Sequence, residues 1–510
     1  MDKPERSDVG QISRRTFAGG GMAAVMLALG CAVPGGAALA ASANGRFGPP
    51  RRFDRAWLVA EAQRRAQRPM VARLATHAVP DFDSHVRLSY GAAETLPGGL
   101  RLFPARRDVA TNMVAIHVLD SGMAREIVDT HGLFGGGESA DVAGFRVMNA
   151  DGASDWLAFL GAAYFRASGP RGQYGLSARA VAVDTGMPEP EEFPAFTDFW
   201  IEAKGGDRLI IHALVDGPSL TGAFTLDTRR EGLAMTQAVE GTLFLRKAVR
   251  RLGIAPITSM FDFGEGHRGD RADWRPEVHD SDGLAIQTGS GERIWRPLDN
   301  PPSPRVHMLR ADHLKGFGMI QRDQAFDHYQ DDYSFYDRRP SLWVEPVGDW
   351  GAGAIMLYEM NGASETVDNM AAMWIADAPA RAGQRRDFAY RLVWTSRDPS
   401  ADANAHCVDV FEGPGGVPGA DPIAGATRYV FQFRGGGLAE LDRRSGIEAV
   451  TDLPPASVLL NKAEPVGGQP GLWRVTLDVR TEGLKQSEFR LFLRRGQDAF
   501  SETVIKTVRP

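Results

Sequence analysis

The sequence predicts an all-β fold, and two observations support this prediction. Short runs of alternating or continuously apolar residues, rich in β-branched and aromatic types, recur along the chain. Clusters of Gly, Pro, Asp and Asn separate these runs at the spacing of roughly 8 to 12 residues that is typical of antiparallel sandwiches or barrels. No repeat of fixed period is visible, which argues against a propeller or a solenoid.

Nine segments carry the strand pattern most clearly, because each is an apolar run bounded by turn-forming residues. They are RLIIHALVDG (208–217), TGAFTLDTRR (221–230), GTLFLRKAV (241–249), SLWVEPVGDW (341–350), AIMLYEM (354–360), FAYRLVWTSR (388–397), RYVFQFRGG (428–436), LWRVTLDVR (472–480) and FRLFLRR (489–495). One segment instead predicts a helix. In residues 53–69, Leu58, Ala62 and Ala66 recur at every fourth position and form a partial apolar stripe.

The N-terminal residues carry an export signal. Arg14 and Arg15 stand directly before a short apolar run, 18–30, in SRRTFAGGGMAAVMLALG. That run is too short and too rich in glycine for a membrane span, which needs about 20 residues. AALAAS offers a cleavage site after Ala40. We therefore expect residues 1–40 to be a twin-arginine signal peptide that delivers the protein to the periplasm.

The two cysteines bear on this interpretation. A lipoprotein signal that uses Cys31 is the alternative, but Ala28 stands three positions earlier, where leucine is usual. If the signal is removed, Cys407 remains alone and no intrachain disulfide can form. The fold must then rely on its hydrophobic core.

A change of composition predicts two domains after the signal. In ADAPARAGQRRD (376–387), alanine, proline, glycine and arginine replace alternating apolar residues, which indicates a linker. Residues 41–380 then form a large all-β domain. Residues 386–510 hold five or six predicted strands, which is the size of one immunoglobulin-like β-sandwich.

The charge of the chain excludes some partners. The net charge is −6, from 64 acidic and 58 basic residues that are spread along the sequence without a basic block. Nucleic acid and anionic membrane surfaces are therefore not expected as partners.

Two acidic motifs are candidates for chemistry: HDSDG (279–283) and SETVDN (364–369). Acidic residues beside Gly, Ser and Asn are often only turn formers that bond their own backbone. A pair of carboxylates from separate motifs can instead perform general acid and base catalysis. A metal site at His279, Asp280 and Asp282 is a third interpretation, although calcium requires six to eight oxygen ligands and a longer loop. We expect no metal and no cofactor.

Ten strings, in order along the chain, resemble the family of periplasmic glucan biosynthesis proteins G and D. They are GFRV (144–147), FLGAAYFRA (159–167), QYGLSARAVAVDT (173–185), EEFPAFTDFW (191–200), GIAPITSMF (253–261), HDSDGL (279–284), ERIWRPLDNP (292–301), KGFGMIQRD (315–323), RRPSLWVEP (338–346) and SETVDNM (364–370). The twin-arginine signal is more similar to the D branch. The resemblance implies a galactose-mutarotase-like β-sandwich followed by a smaller immunoglobulin-like one.

The resemblance also implies an activity on β-1,2-glucan, the backbone of osmoregulated periplasmic glucans. Members act as inverting glycoside hydrolases, which need one carboxylic acid for the leaving oxygen and one carboxylate that activates water. By position in the motifs, Asp280 matches the general base, Asp368 the general acid, and Glu365 an acidic neighbour. Two alternatives stay open: a cyclising transglycosylase that uses the same carboxylates, and a non-catalytic glucan-binding partner of the membrane-bound glucan synthase. Relatives imply a homodimer.

Sugar binding requires aromatic faces and planar polar groups, so three further residues are candidates. Trp295, Arg296 and Tyr329 lie between the two acidic motifs and are predicted to bind the substrate. The chain departs from the family at 411–433, where relatives carry a longer charged and aromatic loop over the neighbouring subunit's active site. This shorter segment predicts a modified lid.

Overall fold

The computed structural model describes residues 45–78, 82–106, 111–232, 234–270, 273–400, 404–417 and 419–508. The predicted signal peptide, 1–40, lies outside these residues, so the twin-arginine route stays a prediction. Within the described part of the chain, no helix combines the length and apolar character needed to cross a bilayer.

The described residues form 32 β-strands and three α-helices, which confirms the all-β fold class. The helices are α1 (Arg55–Ala66), α2 (Phe82–Tyr90) and α3 (Phe326–Tyr329). The first strands are β1 (Arg51–Arg52), β2 (Leu100–Pro104), β3 (Ala115–Asp120), β4 (Met123–Glu126), β5 (Val142–Met148), β6 (Asp155–Leu160), β7 (Tyr164–Ala167), β8 (Ser177–Arg179), β9 (Val181–Val183), β10 (Ala195–Ala203), β11 (Arg208–Asp216), β12 (Leu220–Glu231), β13 (Ala234–Leu245) and β14 (Leu252–Ser259). The middle strands are β15 (Phe261–Phe263), β16 (Val278–His279), β17 (Gly283–Gln287), β18 (Arg293–Pro297), β19 (Arg305–Arg310), β20 (Gly316–Ile320), β21 (Ser341–Pro346), β22 (Gly353–Glu359) and β23 (Met370–Ala376). The last are β24 (Arg385–Thr395), β25 (Ala405–Pro414), β26 (Ala426–Gly435), β27 (Ile447–Thr451), β28 (Val458–Pro465), β29 (Trp473–Arg480), β30 (Glu488–Arg495), β31 (Asp498–Ala499) and β32 (Thr503–Thr507).

Each of the nine predicted strand segments overlaps a strand of the structure. The predicted helix is also confirmed as α1, which begins after Asp54. The Asp54 carboxylate accepts a hydrogen bond of 2.7 Å from the Trp57 backbone N–H, as N-capping residues do. Leu58 and Ala62, on the predicted apolar stripe, are buried against Trp200 and its neighbours. The amphipathic pattern therefore identified the correct helix face.

The chain divides into two compact units. Unit 1 comprises the residues up to Pro256, Thr366–Asp368 and Ala378–Val393; unit 2 comprises Ile257–Glu365, Asn369–Asp377 and the residues from Trp394 onward. This division differs from the predicted boundaries at 380 and 386. The predicted linker is paired within unit 1 instead of being free: the Val249 N–H donates to the Ala380 carbonyl and the Gly383 N–H to the Leu245 carbonyl.

Unit 1 is built on two sets of paired strands. One set runs in the order β1-β4-β3-β10-β11-β12-β13, in which only the β3–β10 pair is parallel. The other runs β2-β5-β6-β7-β8, with every pair antiparallel. The long antiparallel partners β12 and β13 are paired along their whole length, from Leu220 opposite Leu245 to Glu231 opposite Ala234.

Unit 2 holds the strands that position the acidic motif HDSDG. One sheet runs β21-β20-β17-β18-β32-β30-β27, and a four-stranded sheet runs β25-β26-β29-β28. The C-terminal residues thus contribute to two sheets, the arrangement that a sandwich needs. The pair β18–β32 is parallel. The short β15–β16 hairpin ends at His279, directly before Asp280.

Candidate active site

Asp280 lies at the end of the β15–β16 hairpin and is completely buried. Its backbone N–H donates to the Met260 carbonyl at 2.8 Å, which fixes the chain as it leaves the hairpin. Its carboxylate forms an ion pair with the Arg339 guanidinium. A buried carboxylate is costly without such a partner. The Asp280 side chain therefore takes part in a tertiary ion pair, which a solvated turn would not require.

Arg339, the partner of Asp280, follows an unusual turn. Phe335 adopts a left-handed backbone conformation, with φ 50° and ψ 50°, directly before the 3-10 turn that begins at Tyr336. A bulky residue is rare in this conformation, which costs roughly 1–2 kcal/mol. The Arg339 guanidinium carbon then lies 4.0 Å from the centre of the Tyr336 ring. This stacking limits the orientations that the guanidinium can adopt beside Asp280.

Tyr336 connects this ion pair to Glu365. The Tyr336 hydroxyl donates a hydrogen bond of 2.9 Å to Glu365 Oε2. The Arg275 guanidinium donates to the same oxygen at 2.7 Å. Contacts therefore run without a break from Asp280 through Arg339 and Tyr336 to Glu365, all inside unit 2. The structure brings together two of the three predicted catalytic residues in one polar network.

Asp368, the third predicted catalytic residue, belongs to unit 1. Burial raises the pKa of the Tyr164 hydroxyl, the Arg179 guanidinium opposes this rise, and the carboxylates of Glu191 and Asp368 add to it. Arg179 is itself buried and pairs with Glu191 at 2.7 Å. Asp368 thus lies near a neutral tyrosine hydroxyl and a balanced ion pair.

The comparison with known families decides what kind of chain this is. Residues 53–508 match the family model described as periplasmic glucan biosynthesis protein, MdoG.

The chain belongs to the MdoG family.

Curated relatives agree with this assignment and confirm the resemblance to the D branch. Glucans biosynthesis protein D 1 of Ralstonia nicotianae is 40% identical over 487 residues, covering 88% of this chain and 90% of the relative. A probable glucans biosynthesis protein D of Shewanella oneidensis is 41% identical over 405 residues, covering 76% of this chain and 75% of the relative. The family is periplasmic, which supports the predicted location.

A solved structure of a galactose mutarotase related enzyme from Lactobacillus acidophilus also aligns with this MdoG-family chain. The TM-score is 0.23 at 10% identity, covering 56% of this chain and 98% of that one. The alignment is too weak to carry an argument about fold or function.

The three predicted sugar-binding residues lie in the interior of unit 2. Trp295 and Arg296 are consecutive on β18 and therefore point to opposite faces of the sheet, and both faces are covered. Arg322 lies 3.5 Å from the centre of the Trp295 ring, and Arg296 pairs with Glu488 at 2.9 Å.

Tyr329 is also fully buried in this MdoG-family protein. Its hydroxyl accepts from Gln321 Nε2 at 2.7 Å and donates to the Asp323 carbonyl at 3.1 Å. Trp295, Arg296 and Tyr329 thus present no surface in this structure, and their contact with sugar stays a prediction.

A second cluster of ionisable side chains lies in unit 2; sequence analysis named its members His279 and Asp282 but missed Glu277, Asp323 and His328. His279 Nδ1 lies 3.0 Å from Gln321 Oε1, and His279 Nε2 lies 2.9 Å from Glu277 Oε2. Both ring nitrogens therefore face acceptors, which requires the doubly protonated ring. Burial lowers the pKa of His279, but Asp282, Glu277 and Gln321 outweigh it, so the pKa is raised overall.

Two carboxyl groups of this cluster have opposite protonation states. Burial raises the pKa of Glu277, but hydrogen bonds from His279 and His328 outweigh it and lower the pKa to about 2. Burial and the charges of Asp282 and Glu277 raise the pKa of Asp323 to about 11. Glu277 is therefore ionised and Asp323 protonated at neutral pH. The motif HDSDG gave no signal of the contacts with Gln321, Asp323 and His328, because these residues lie about 40 positions or more later in the chain.

The same cluster contains the side chains that come closest to a metal site within the described residues. Glu277, His279 and Asp282, and separately Glu277, Asp323 and His328, each offer three possible ligand atoms within 4.8 Å of one another. A metal ligand must be a neutral imidazole, so His279 would have to release one of its two protons in order to bind a cation. The absence of a metal and a cofactor stays a prediction.

Replacing Glu277 with glutamine is expected to remove one part of the pH dependence of stability. The depressed pKa of Glu277 contributes stability that is present above its unfolded pKa, about 4.3, and lost as the pH falls towards 2. The raised pKa of His279 contributes stability that is present below about 6.5 and lost as the pH rises through its folded pKa.

Urea unfolding of both proteins from pH 3 to 9 measures this effect. Glu277→Gln should lower the free energy of unfolding by roughly 1–3 kcal/mol at pH 6 and flatten both slopes. Identical pH profiles for wild type and variant would show that the Glu277–His279 pair does not cause the pH dependence of stability. Glu448→Gln, on the exposed Arg494 pair, is the matched control and should change neither slope.

Proposed function

We propose that this MdoG-family protein is an inverting endo-β-1,2-glucanase in which Asp280 is the general base and Asp368 the general acid. The observation that carries the proposal is the network of unit 2, in which a buried Asp280 is held by Arg339 and connected through Tyr336 to Glu365. Asp280 and Glu365, which the family resemblance selected from separate motifs, belong to this one network. A chance pair of surface turns would not share buried partners.

The geometry supports distinct roles for these groups. In its ion pair with Arg339, Asp280 is ionised, which is the state that a general base needs. Because Asp280 is completely buried, a proton from the attacking water must reach it through at least one intervening hydroxyl or water. Tyr336 and Arg275 orient Glu365 by donating to one of its oxygens. Asp368 would deliver the proton to the leaving oxygen.

The test incubates the protein with linear β-1,2-glucan. Reducing ends, product masses and the anomeric configuration of fresh products by NMR are measured together. Hydrolysis with inversion gives new reducing ends that first appear as the α-anomer. No new reducing ends and no change in mass distribution would contradict an enzymatic function and leave glucan binding as the alternative.

The same assay separates hydrolysis from cyclising transfer. Products lighter by one water, without new reducing ends, would indicate that a sugar hydroxyl replaces water as acceptor. The segment 411–433, which the sequence predicts to be a modified lid, mostly forms the hairpin β25–β26, and only 415–425 connect the two strands. The Gly416 N–H donates to the Asp478 carboxylate at 3.2 Å, so this connection is bonded to unit 2 of its own chain. A homodimer and a contact with the glucan synthase stay predictions.

Replacing Arg339 with lysine tests the role of the network. Lysine keeps the positive charge beside Asp280 but cannot stack its plane on Tyr336. We expect the rate of glucan cleavage to fall roughly 10- to 100-fold, because Asp280 loses its fixed orientation. Steady-state kinetics measures the loss, and an unchanged near-UV circular dichroism spectrum shows that the fold is retained. A variant with wild-type kcat would argue that the stacking has no part in catalysis.

A further inference from the structure

The exposed aromatic side chains of unit 2 are concentrated in one region. Among its described residues, the large aromatic side chains classed as exposed are Trp274 at 71%, Tyr333 at 90% and Phe326 at 45%. All three lie in two short segments, 273–277 and 323–339, which also contribute Arg275, Tyr336 and Arg339 to the polar network of the candidate site. Single exposed aromatics need no explanation, but a concentration beside one polar network indicates a binding surface.

Trp274 and Tyr333 emerge beside the same ion pair. Arg275, which follows Trp274, donates to Asp331 Oδ2 at 2.9 Å. The other oxygen of Asp331 accepts from the backbone N–H of Tyr333 at 2.9 Å. The two aromatic residues are therefore each within two positions of one bridged pair. Arg275 continues to Glu365 at 2.7 Å, so this surface is continuous with the candidate site.

The polar groups next to Trp274 and Tyr333 in the chain suit a neutral ligand. Arg275 is paired with three carboxylates, those of Asp331, Glu365 and, at 2.8 Å, Asp273, so its positive charge is already compensated within the protein and does not attract an anionic ligand. Such planar, mutually paired groups still offer directional donors and acceptors to hydroxyl groups. The rings supply apolar faces at which the C–H groups of a sugar ring can pack. A pyranose chain has this combination of apolar faces and equatorial hydroxyls.

We propose that Trp274 and Tyr333 are two stacking platforms of a subsite that binds glucosyl units of the β-1,2-glucan beside the Arg275–Glu365 pair. This inference rests on the proposed function and deepens it by assigning residues that determine substrate affinity. Both rings would contribute to the affinity for the glucan, and neither belongs to the network that holds Asp280. Their removal should therefore raise KM and leave kcat nearly unchanged.

The experiment compares Trp274→Ala, Tyr333→Ala, the double variant, and the conservative Trp274→Phe and Tyr333→Phe. Kinetics on linear β-1,2-glucan and retardation in gels that contain the glucan are measured for each. KM should rise roughly 5- to 10-fold for each alanine variant, with kcat within about twofold. The phenylalanine variants, which keep a ring face, should stay near wild type. Trp57→Ala, at a 41% exposed tryptophan on α1, is the control.

Four outcomes are decisive. Active wild type with unchanged KM in the alanine variants would overturn the subsite and leave the glucanase function standing. If the wild type is retarded by the glucan but does not cleave it, and the alanine variants are no longer retarded, the result would support the sugar-binding surface and contradict the catalytic function. Alanine variants that halve the mass measured by light scattering, at unchanged KM, would make this a self-association face and overturn the subsite. A wild type that is neither retarded nor active would overturn both.

Discussion

Asp280→Asn is expected to lower the rate of β-1,2-glucan cleavage about 10²- to 10⁴-fold, the range that a positioned general base contributes. The amide has nearly the same shape as the carboxylate but cannot accept the proton of the attacking water. It also leaves the Arg339 guanidinium without its charged partner inside the protein. Asp368→Asn should cause a loss of similar size, because the leaving oxygen then receives no proton.

The control for this prediction is Asp349→Asn. Asp349 is also in unit 2, but its side chain is 62% exposed, pairs with His313 and accepts from the Gly351 backbone N–H. This variant should keep wild-type kcat. Circular dichroism and retardation in glucan-containing gels show whether the Asp280 variant is folded and still binds. A folded Asp280→Asn protein with less than a tenfold loss of rate would remove Asp280 from the mechanism.

Arg322→Met is expected to lower the free energy of unfolding by roughly 3–5 kcal/mol, the largest effect on stability that we predict. The Arg322 guanidinium is buried between the carboxylates of Glu502, at 2.6 Å, and Asp398, at 2.7 Å. Its face covers the Trp295 ring, and it donates to the Cys407 carbonyl at 2.6 Å. Methionine fills much of the volume but leaves two carboxylates in the interior without a cation.

Urea unfolding measures this loss against Arg310→Met. Arg310 also contacts two carboxylates, Asp312 and Asp377, but its side chain is 57% exposed. An exposed pair of this kind contributes about 0–1 kcal/mol. Equal changes for the two variants would show that burial does not determine the strength of the Arg322 pairs. The matched number of ionic partners makes burial the main difference between them.

The sequence predicted those features that depend on local patterns. Alternation of apolar residues identified β11, β12 and β30, and the spacing of four residues between Leu58 and Ala62 identified α1. Both patterns reflect which face of a strand or helix is buried, and each is visible in the order of residues within that one segment. The family resemblance added Asp280 and Glu365, which share one network in the structure.

The features that the sequence did not predict depend on contacts between distant segments. Trp295 and Arg296 have the residue types of a sugar site, but β18 is covered on both faces, which no local pattern shows. Trp274 and Tyr333 stand in loops, where exposure follows from tertiary packing. The division into two units also depends on such contacts, since the chain crosses between them several times without a change of composition at each crossing; the predicted domains 41–380 and 386–510 stay a prediction.

The parallel pairing of β18 with β32 has a consequence for folding. Ile294 and Trp295 pair with Thr503 and Val504, about two hundred residues later in the chain. Pairing over such a separation has a high loop-closure entropy, so this sheet forms slowly compared with local hairpins such as β25–β26. The edge of β18 that β32 covers therefore stays unpaired until this late contact forms, and its backbone N–H and C=O groups are exposed for other pairings until then.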